Sequence, residues 1–173
     1  MISLGIDLSL TGTGLVVLDH QGNTVHRQVL GTKASLDMME RCSIIAGRVL
    51  ELIDMHEPDA ICIEDYAVGK FGGSAIAGIS VGAIVRYFFR QKGIDYWLVN
   101  AGTLKAFATG TGAAKKEQVM MACYKKWKFE AIDNNEADAY VLARIGLATK
   151  YVPALAAEAK AMKKVRAITC TKH

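Results

Sequence analysis

No two cysteines in this chain have the spacing of a metal knuckle or a redox motif. Cys42, Cys62, Cys123 and Cys170 are scattered, with no CxxC pair. That argues against a zinc site. It favours reduced thiols in a cytosolic protein, three of them in apolar patterns. No apolar run is long enough and free enough of charge to span a bilayer. No leader is expected, because the N-terminus enters a strand directly. Internal repeats and low-complexity segments are missing too. Charge of one sign does not dominate: 21 Lys and Arg against 17 Asp and Glu leave +4. That mild excess permits a polyanionic partner without requiring one. What remains is ordinary for one globular domain: 173 residues, 51% apolar and 22% charged.

The first stretch organises the rest. Ile2, Leu4 and Ile6 alternate with small or polar residues, as in a half-buried strand, and Asp7 closes it. A carboxylate in an apolar segment needs a cation or hydrogen-bond donors. Asp7 also fits a plain turn cap. Leu15 to Leu18 and Asn23 to Leu30 continue as second and third strands of a meander.

Ser35 is placed to cap a helix that runs to about His56, stopped by Glu57-Pro58-Asp59. Ala60 to Glu64 is an unbroken apolar run ending in a second acid, as in a central strand. A helix over about 74–92 begins rich in small residues, suited either to sheet packing or to a subunit interface. A strand over 94–99, a short helix over 103–107 and a helix over about 115–126 follow. The loop Thr109 to Lys116 is glycine-rich but lacks phosphate-loop spacing and follows no strand. Asp133 or Asn134 caps the last core helix, where Asn134, Asn135 and Asp138 share a face.

This order predicts an α/β fold: a mixed five-stranded sheet, three antiparallel strands then two parallel, flanked by helices. Residues 1–150 form the domain, and 151–173 a basic C-terminal helix and tail, facing either solvent or DNA. A right-handed crossover sets the fourth strand parallel beside the first. Asp7 and Glu64 then become neighbours, and the last helix can bring Asp138 to them. Three close carboxylates repel unless a cation joins them. All-oxygen ligands select Mg²⁺ or Mn²⁺. Two such ions about 4 Å apart suit phosphodiester hydrolysis, with lysines to hold the phosphate.

The pieces Gly5-Ile6-Asp7, Glu40-Arg41, Ile63-Glu64, Leu104-Lys105, Lys116-Glu117-Gln118-Val119 and Ala137-Asp138-Ala139 stand in order from about Ser3 to Ala148. In this the chain resembles RuvC-type Holliday-junction resolvases of the ribonuclease H-like superfamily. The resemblance implies a homodimeric, Mg²⁺-dependent crossover junction endodeoxyribonuclease of recombination and repair. Its substrate would be four-way DNA junctions, or branched DNA more broadly. It implies metal ligands at Asp7, Glu64, Asn135 and Asp138, catalytic roles for those three acids, and phosphate-site lysines at Lys105 and Lys116.

Asn135 departs from the Asp or His usual in the family, so Asp133 or Glu136 is a candidate to assist. Asp7-Leu8-Ser9 also departs, as does the loop after Glu64. These departures resemble bacteriophage-type members, whose setting would be the host cytoplasm. Tyr66 and Phe71 are candidates for the aromatic that enters the junction centre, and equally for ordinary packing. Lys70 and Lys115 join Lys105 and Lys116 as DNA contacts, with Lys92, Lys125, Lys126 and Lys128 as further basic candidates. Thr11-Gly12-Thr13-Gly14 is similar to the first phosphate motif of actin-like ATPases, but those need two domains and a second motif. A junction-binding protein that has lost activity is the non-enzymatic alternative.

Overall fold

A computed structural model describes residues 1–65, 73–150 and 156–171 of the chain. The opening meander is β1 (Ser3–Asp7), β2 (Thr13–Leu18) and β3 (Thr24–Leu30). Helix α1 (Met38–His56) leads to β4 (Ala60–Glu64), and α2 (Gly73–Lys92) leads to β5 (Tyr96–Val99). Then come α3 (Ala101–Thr109), α4 (Lys116–Trp127), α5 (Asn134–Ala148), α6 (Ala156–Met162) and β6 (Arg166–Ile168). The sheet runs β3-β2-β1-β4-β5-β6. β4 lies parallel to β1 with Ile6 opposite Ile63, as the crossover rule requires.

The sheet has six strands rather than five. β6 comes from the C-terminal segment and pairs antiparallel with β5. It is three residues long and mostly exposed, so it lacks the apolar alternation that marks a strand.

Strand periodicity sorts the sheet into two faces. Leu4, Ile6, Ile61 and Ile63 join the core under α1 and α2. Cys62, Val16 and Leu18 join the core under α5, α3 and α4. Parity therefore puts Ser3, Gly5 and Asp7 on the α5 side. Ser3 donates its hydroxyl to the Ala143 carbonyl at 2.8 Å. Gly5 lies against the backbone of Ala139 and Ala143, so α5 sits very close to β1. All four cysteines are free and buried. Burial pushes the Cys62 and Cys123 thiols far up, which suits packing rather than nucleophilic chemistry. No described helix is long and apolar enough to cross a membrane.

Helix α1 starts later than Ser35 suggests. Asp37 is its cap: Oδ1 accepts from the Met39 and Glu40 amides, and the Asp37 amide donates to Glu40 Oε2 at 3.3 Å. Asp37 wins because Glu40 stands three residues after it and closes a reciprocal box. Replacing Asp37 with Ala is expected to lower stability by about 1 kcal/mol, read from urea unfolding midpoints.

Candidate active site

Asp7 ends β1, Glu64 ends β4 and Asp138 lies one turn into α5. The same sheet face and the same strand end bring the first two together. Asp133 Oδ1 accepts from the Glu136 amide at 2.9 Å, which fixes the start of α5 and hence where Asp138 stands. Each of the three acids offers an oxygen, and these atoms all lie within 4.8 Å of one another. The predicted convergence of the three carboxylates is therefore present.

The cluster is electrostatically strained without a cation. Burial holds the Asp7 carboxyl well above its ordinary range, helped by the charges of Glu64 and Asp138 and a hydrogen bond with Glu64. Asp138 is pushed up to about 7, first by burial, then by Glu64, with Asp133 adding to it. Lys116 opposes the shift at both acids, and Lys105 opposes it at Asp138. So both lysines reach the cluster electrically. Lys105 is half-buried on α3 and Lys116 exposed at the start of α4. The donor set fits a hard divalent cation: carboxylate oxygens, no described thiol or imidazole in the group, and excess negative charge to neutralise.

A sign follows for pH. A carboxyl raised in the folded state binds more protons than the unfolded chain between roughly pH 4 and 7. In chelator, Asp138 therefore contributes stability that is present in acid and lost as pH rises through about 7. The expected slope is about 1.4 kcal/mol per pH unit for each such proton, at most. Urea unfolding across this range in chelator checks it, and Asp138→Asn is expected to flatten that part of the profile.

The remaining predicted residues divide. The Asn135 amide nitrogen sits 3.5 Å from Asp133 Oδ2 and packs over Gly12, beside the turn that follows β1. Glu136 turns away from the acids. Its Oε1 pairs with Arg27 at 3.1 Å and its Oε2 accepts from the Ile132 amide at 2.8 Å. Both Glu136 oxygens are thus engaged; Asp133, whose charge is felt at Asp138, is engaged too, through Oδ1 to the Glu136 amide and Oδ2 to the Asn135 side chain. Lys115 is exposed just before α4, its amide donating to Gln118 Oε1 at 2.7 Å. Lys126 is committed to the structure instead, donating to the Phe107 carbonyl and pairing with Glu158 at 3.4 Å. Lys128 lies over the Tyr124 ring. Lys92 and Lys125 are exposed. Tyr66, Lys70 and Phe71 lie outside the described residues.

Arg86 has no role that the sequence alone suggests. Its Nη2 donates to the Glu64 carbonyl at 3.2 Å and pairs with Asp65 at 3.5 Å. Arg166 of β6 pairs with the same Asp65 at 3.1 Å. The chain leaving Glu64 is thus clamped by α2 and β6. No local pattern announces a contact across 101 residues. The Thr11–Gly14 turn, by comparison, is held by local hydrogen bonds: the Thr13 hydroxyl donates to the Ser9 carbonyl at 2.6 Å and accepts from the Ser9 amide.

With this geometry in place, comparison with known proteins is specific. The family model for crossover junction endodeoxyribonuclease RuvC matches residues 3–145. The chain is 31% identical over 147 residues to the RuvC of Paenarthrobacter aurescens (strain TC1), covering 81% of this chain and 77% of that one. It is 30% identical over 146 residues to the RuvC of Rhodococcus opacus (strain B4), with the same coverage. Its fold is similar to the Thermus thermophilus RuvC structure, with TM-score 0.73 and 23% identity over 87% of this chain and 96% of that one. It is also similar to T. thermophilus RuvC in complex with Holliday junction substrate, at TM-score 0.76 and 22% identity over 97% of this chain and 99% of the other. The meander, the crossover that sets Glu64 beside Asp7, and the helix that delivers Asp138 all fall within the matched span, and the chain belongs to the crossover junction endodeoxyribonuclease RuvC family.

Proposed function

We propose that this protein is a homodimeric, Mg²⁺-dependent endonuclease that resolves four-way DNA junctions by paired, symmetric phosphodiester hydrolysis. The observation that carries the reading is the meeting of Asp7, Glu64 and Asp138 at one strand end, in a chain of this family. Those three acids, with the Asn135 side-chain oxygen, would hold two Mg²⁺ ions per site, and Mn²⁺ can substitute. Bound there, divalent cations would supply Lewis-acid chemistry: activation of a water and neutralisation of charge on the leaving oxygen. Lys105 and Lys116 orient the scissile phosphate and offset charge that grows on it. Lys115 and Lys70 bind flanking phosphates. Tyr66 and Phe71, which follow Glu64 in sequence, are the candidates for an aromatic that meets unstacked bases at the junction centre.

Two such sites in a twofold dimer match the twofold symmetry of a four-way junction, which is why the nicks pair. The acids and lysines of the nuclease lie within residues 1–150, and the basic C-terminal segment joins the same sheet through β6. The protein works in the cytoplasm, where the chromosome or a replicating phage genome offers branched DNA.

The test is cleavage of a labelled synthetic four-way junction, a forked duplex and a linear duplex, each with Mg²⁺, Mn²⁺ or chelator, beside Glu64→Gln. Symmetric nicks on the junction in either metal, absent in chelator and in the variant, are expected. Equal cutting of the fork would widen the activity to debranching. Tight binding with no cutting in either metal would overturn the nuclease reading in favour of a junction-binding protein.

A further inference from the structure

A cleft of about 430 Å³ opens between the first turn of α3, the loop 110–112 and α6. It shares no lining residue with the acid cluster. Asn100, Thr103, Thr111, Gly112, Lys160 and Lys164 are among its walls, and none of the described residues lining it is acidic.

Three observations give it a chemical preference. Lys160 and Lys164 stand four residues apart, exposed, with no acidic partner among the described residues. Glu158, the acid on α6, is drawn instead to Lys126. Thr103 is 2% exposed, yet its hydroxyl has no hydrogen-bond partner. A buried hydroxyl without a partner costs free energy that a ligand would return. Finally, the cleft meets the N-terminal end of the nine-residue α3, whose amide dipoles favour an anion. Asn100 Oδ1 already accepts from the Thr103 amide at 2.9 Å, so the hydroxyl is the unspent group there. Gly112 keeps the wall bare: a side chain would press on the Gly102 carbonyl at 3.0 Å.

We infer that this cleft is a phosphate-binding pocket, with the Thr103 hydroxyl donating to the phosphate and Lys160 and Lys164 neutralising it. The same α3 carries Lys105, and the same loop leads to Lys115 and Lys116. A DNA strand seated at the acids therefore has a basic path from the active site to α6. The source assigned is a backbone phosphate of a DNA arm, and that assignment rests on the nuclease reading above.

Two arms test it on the full chain. In the first, inorganic phosphate is titrated into ¹⁵N-labelled protein at constant ionic strength, with chloride as control. Saturable shifts of the Thr103, Gly110 and Gly112 amides are expected, lost in Lys160→Gln/Lys164→Gln and weakened in Thr103→Val but not in Thr103→Ser. In the second, junction binding is measured in chelator against salt. The double variant is expected to lower the slope of log K against log salt by about one for every phosphate it no longer neutralises. Saturable shifts with an unchanged slope keep the pocket but assign it to a free phosphate compound. Absence of saturable shifts in wild type overturns the pocket, whatever the salt slope does. Failure of the wild type to bind junctions at all would sink the nuclease reading, while the phosphate titration still decides the pocket.

Discussion

Asp7→Asn is expected to give a protein that melts higher than wild type in chelator and cuts junctions at least about a thousandfold more slowly. Both halves follow from one feature. Asp7 is half-buried, burial is the main cause that raises its carboxyl, and its neighbours Glu64 and Asp138 are also acids. Without a cation, the native state must either hold these charges out of water or take up protons to avoid them. An amide has nearly the same shape, needs no proton, and can donate to the remaining carboxylates. The gain is expected near 1–2 kcal/mol at pH 8, the usual scale for relieving a strained functional group. The loss of activity comes from the cation, whose charge stabilisation at a phosphodiester is worth several kcal/mol, or about 10³ in rate. Mg²⁺ should accordingly raise the melting temperature of wild type more than that of the variant. Melting curves with and without Mg²⁺, beside single-turnover cleavage, check both parts. A variant that melted lower in chelator would show that the acids support the fold, and the strained-cluster account would fail.

Much of this site is legible in the sequence because it depends on short-range rules. Alternation in Ser3–Asp7 says that Asp7 shares a face with Ser3 and Gly5, not with Leu4 and Ile6. The crossover rule says that β4 lies beside β1. Helical spacing sets Asp138 and Asn135 on one face of α5. Together these rules suffice to bring three acids to one point.

What escapes depends on distance along the chain or on choices between equals. Arg86 and Arg166 reach Asp65 from separate elements, and nothing near Glu64 in sequence predicts them. Ser35 and Asp37 are both good caps by residue type. The partner Glu40 decides between them, and that signal is present in the sequence. Glu136 looks available because spacing alone does not show that Arg27, on β3, occupies its carboxylate.

Gly5→Ala is expected to cost about 3 kcal/mol and to lower cleavage by about a hundredfold, although the residue bears no functional group. Its added methyl would run into the Ala139 carbonyl oxygen and the Ala143 amide nitrogen. Both are backbone atoms of α5, so no rotamer change relieves the clash, and overpacking of this kind falls at the upper end of its range. For a chain of this length, about 3 kcal/mol lowers the melting temperature by roughly 6–12 °C. The alternative to unfolding is a small outward shift of α5. That shift carries Asp138 away from Asp7 and Glu64, and about 1 Å of misplacement is enough for a hundredfold loss. Gly14→Ala meets the Asn135 carbonyl oxygen on the same side and should behave alike. Gly47 separates this mechanism from a general intolerance of alanine. It lies within α1 with open space around its Cβ position, so Gly47→Ala should stabilise by about 0.5–1 kcal/mol with cleavage unchanged. Equal tolerance of all three substitutions would mean that α5 does not rest on β1 as closely as described. The position of Asp138 would then need another cause.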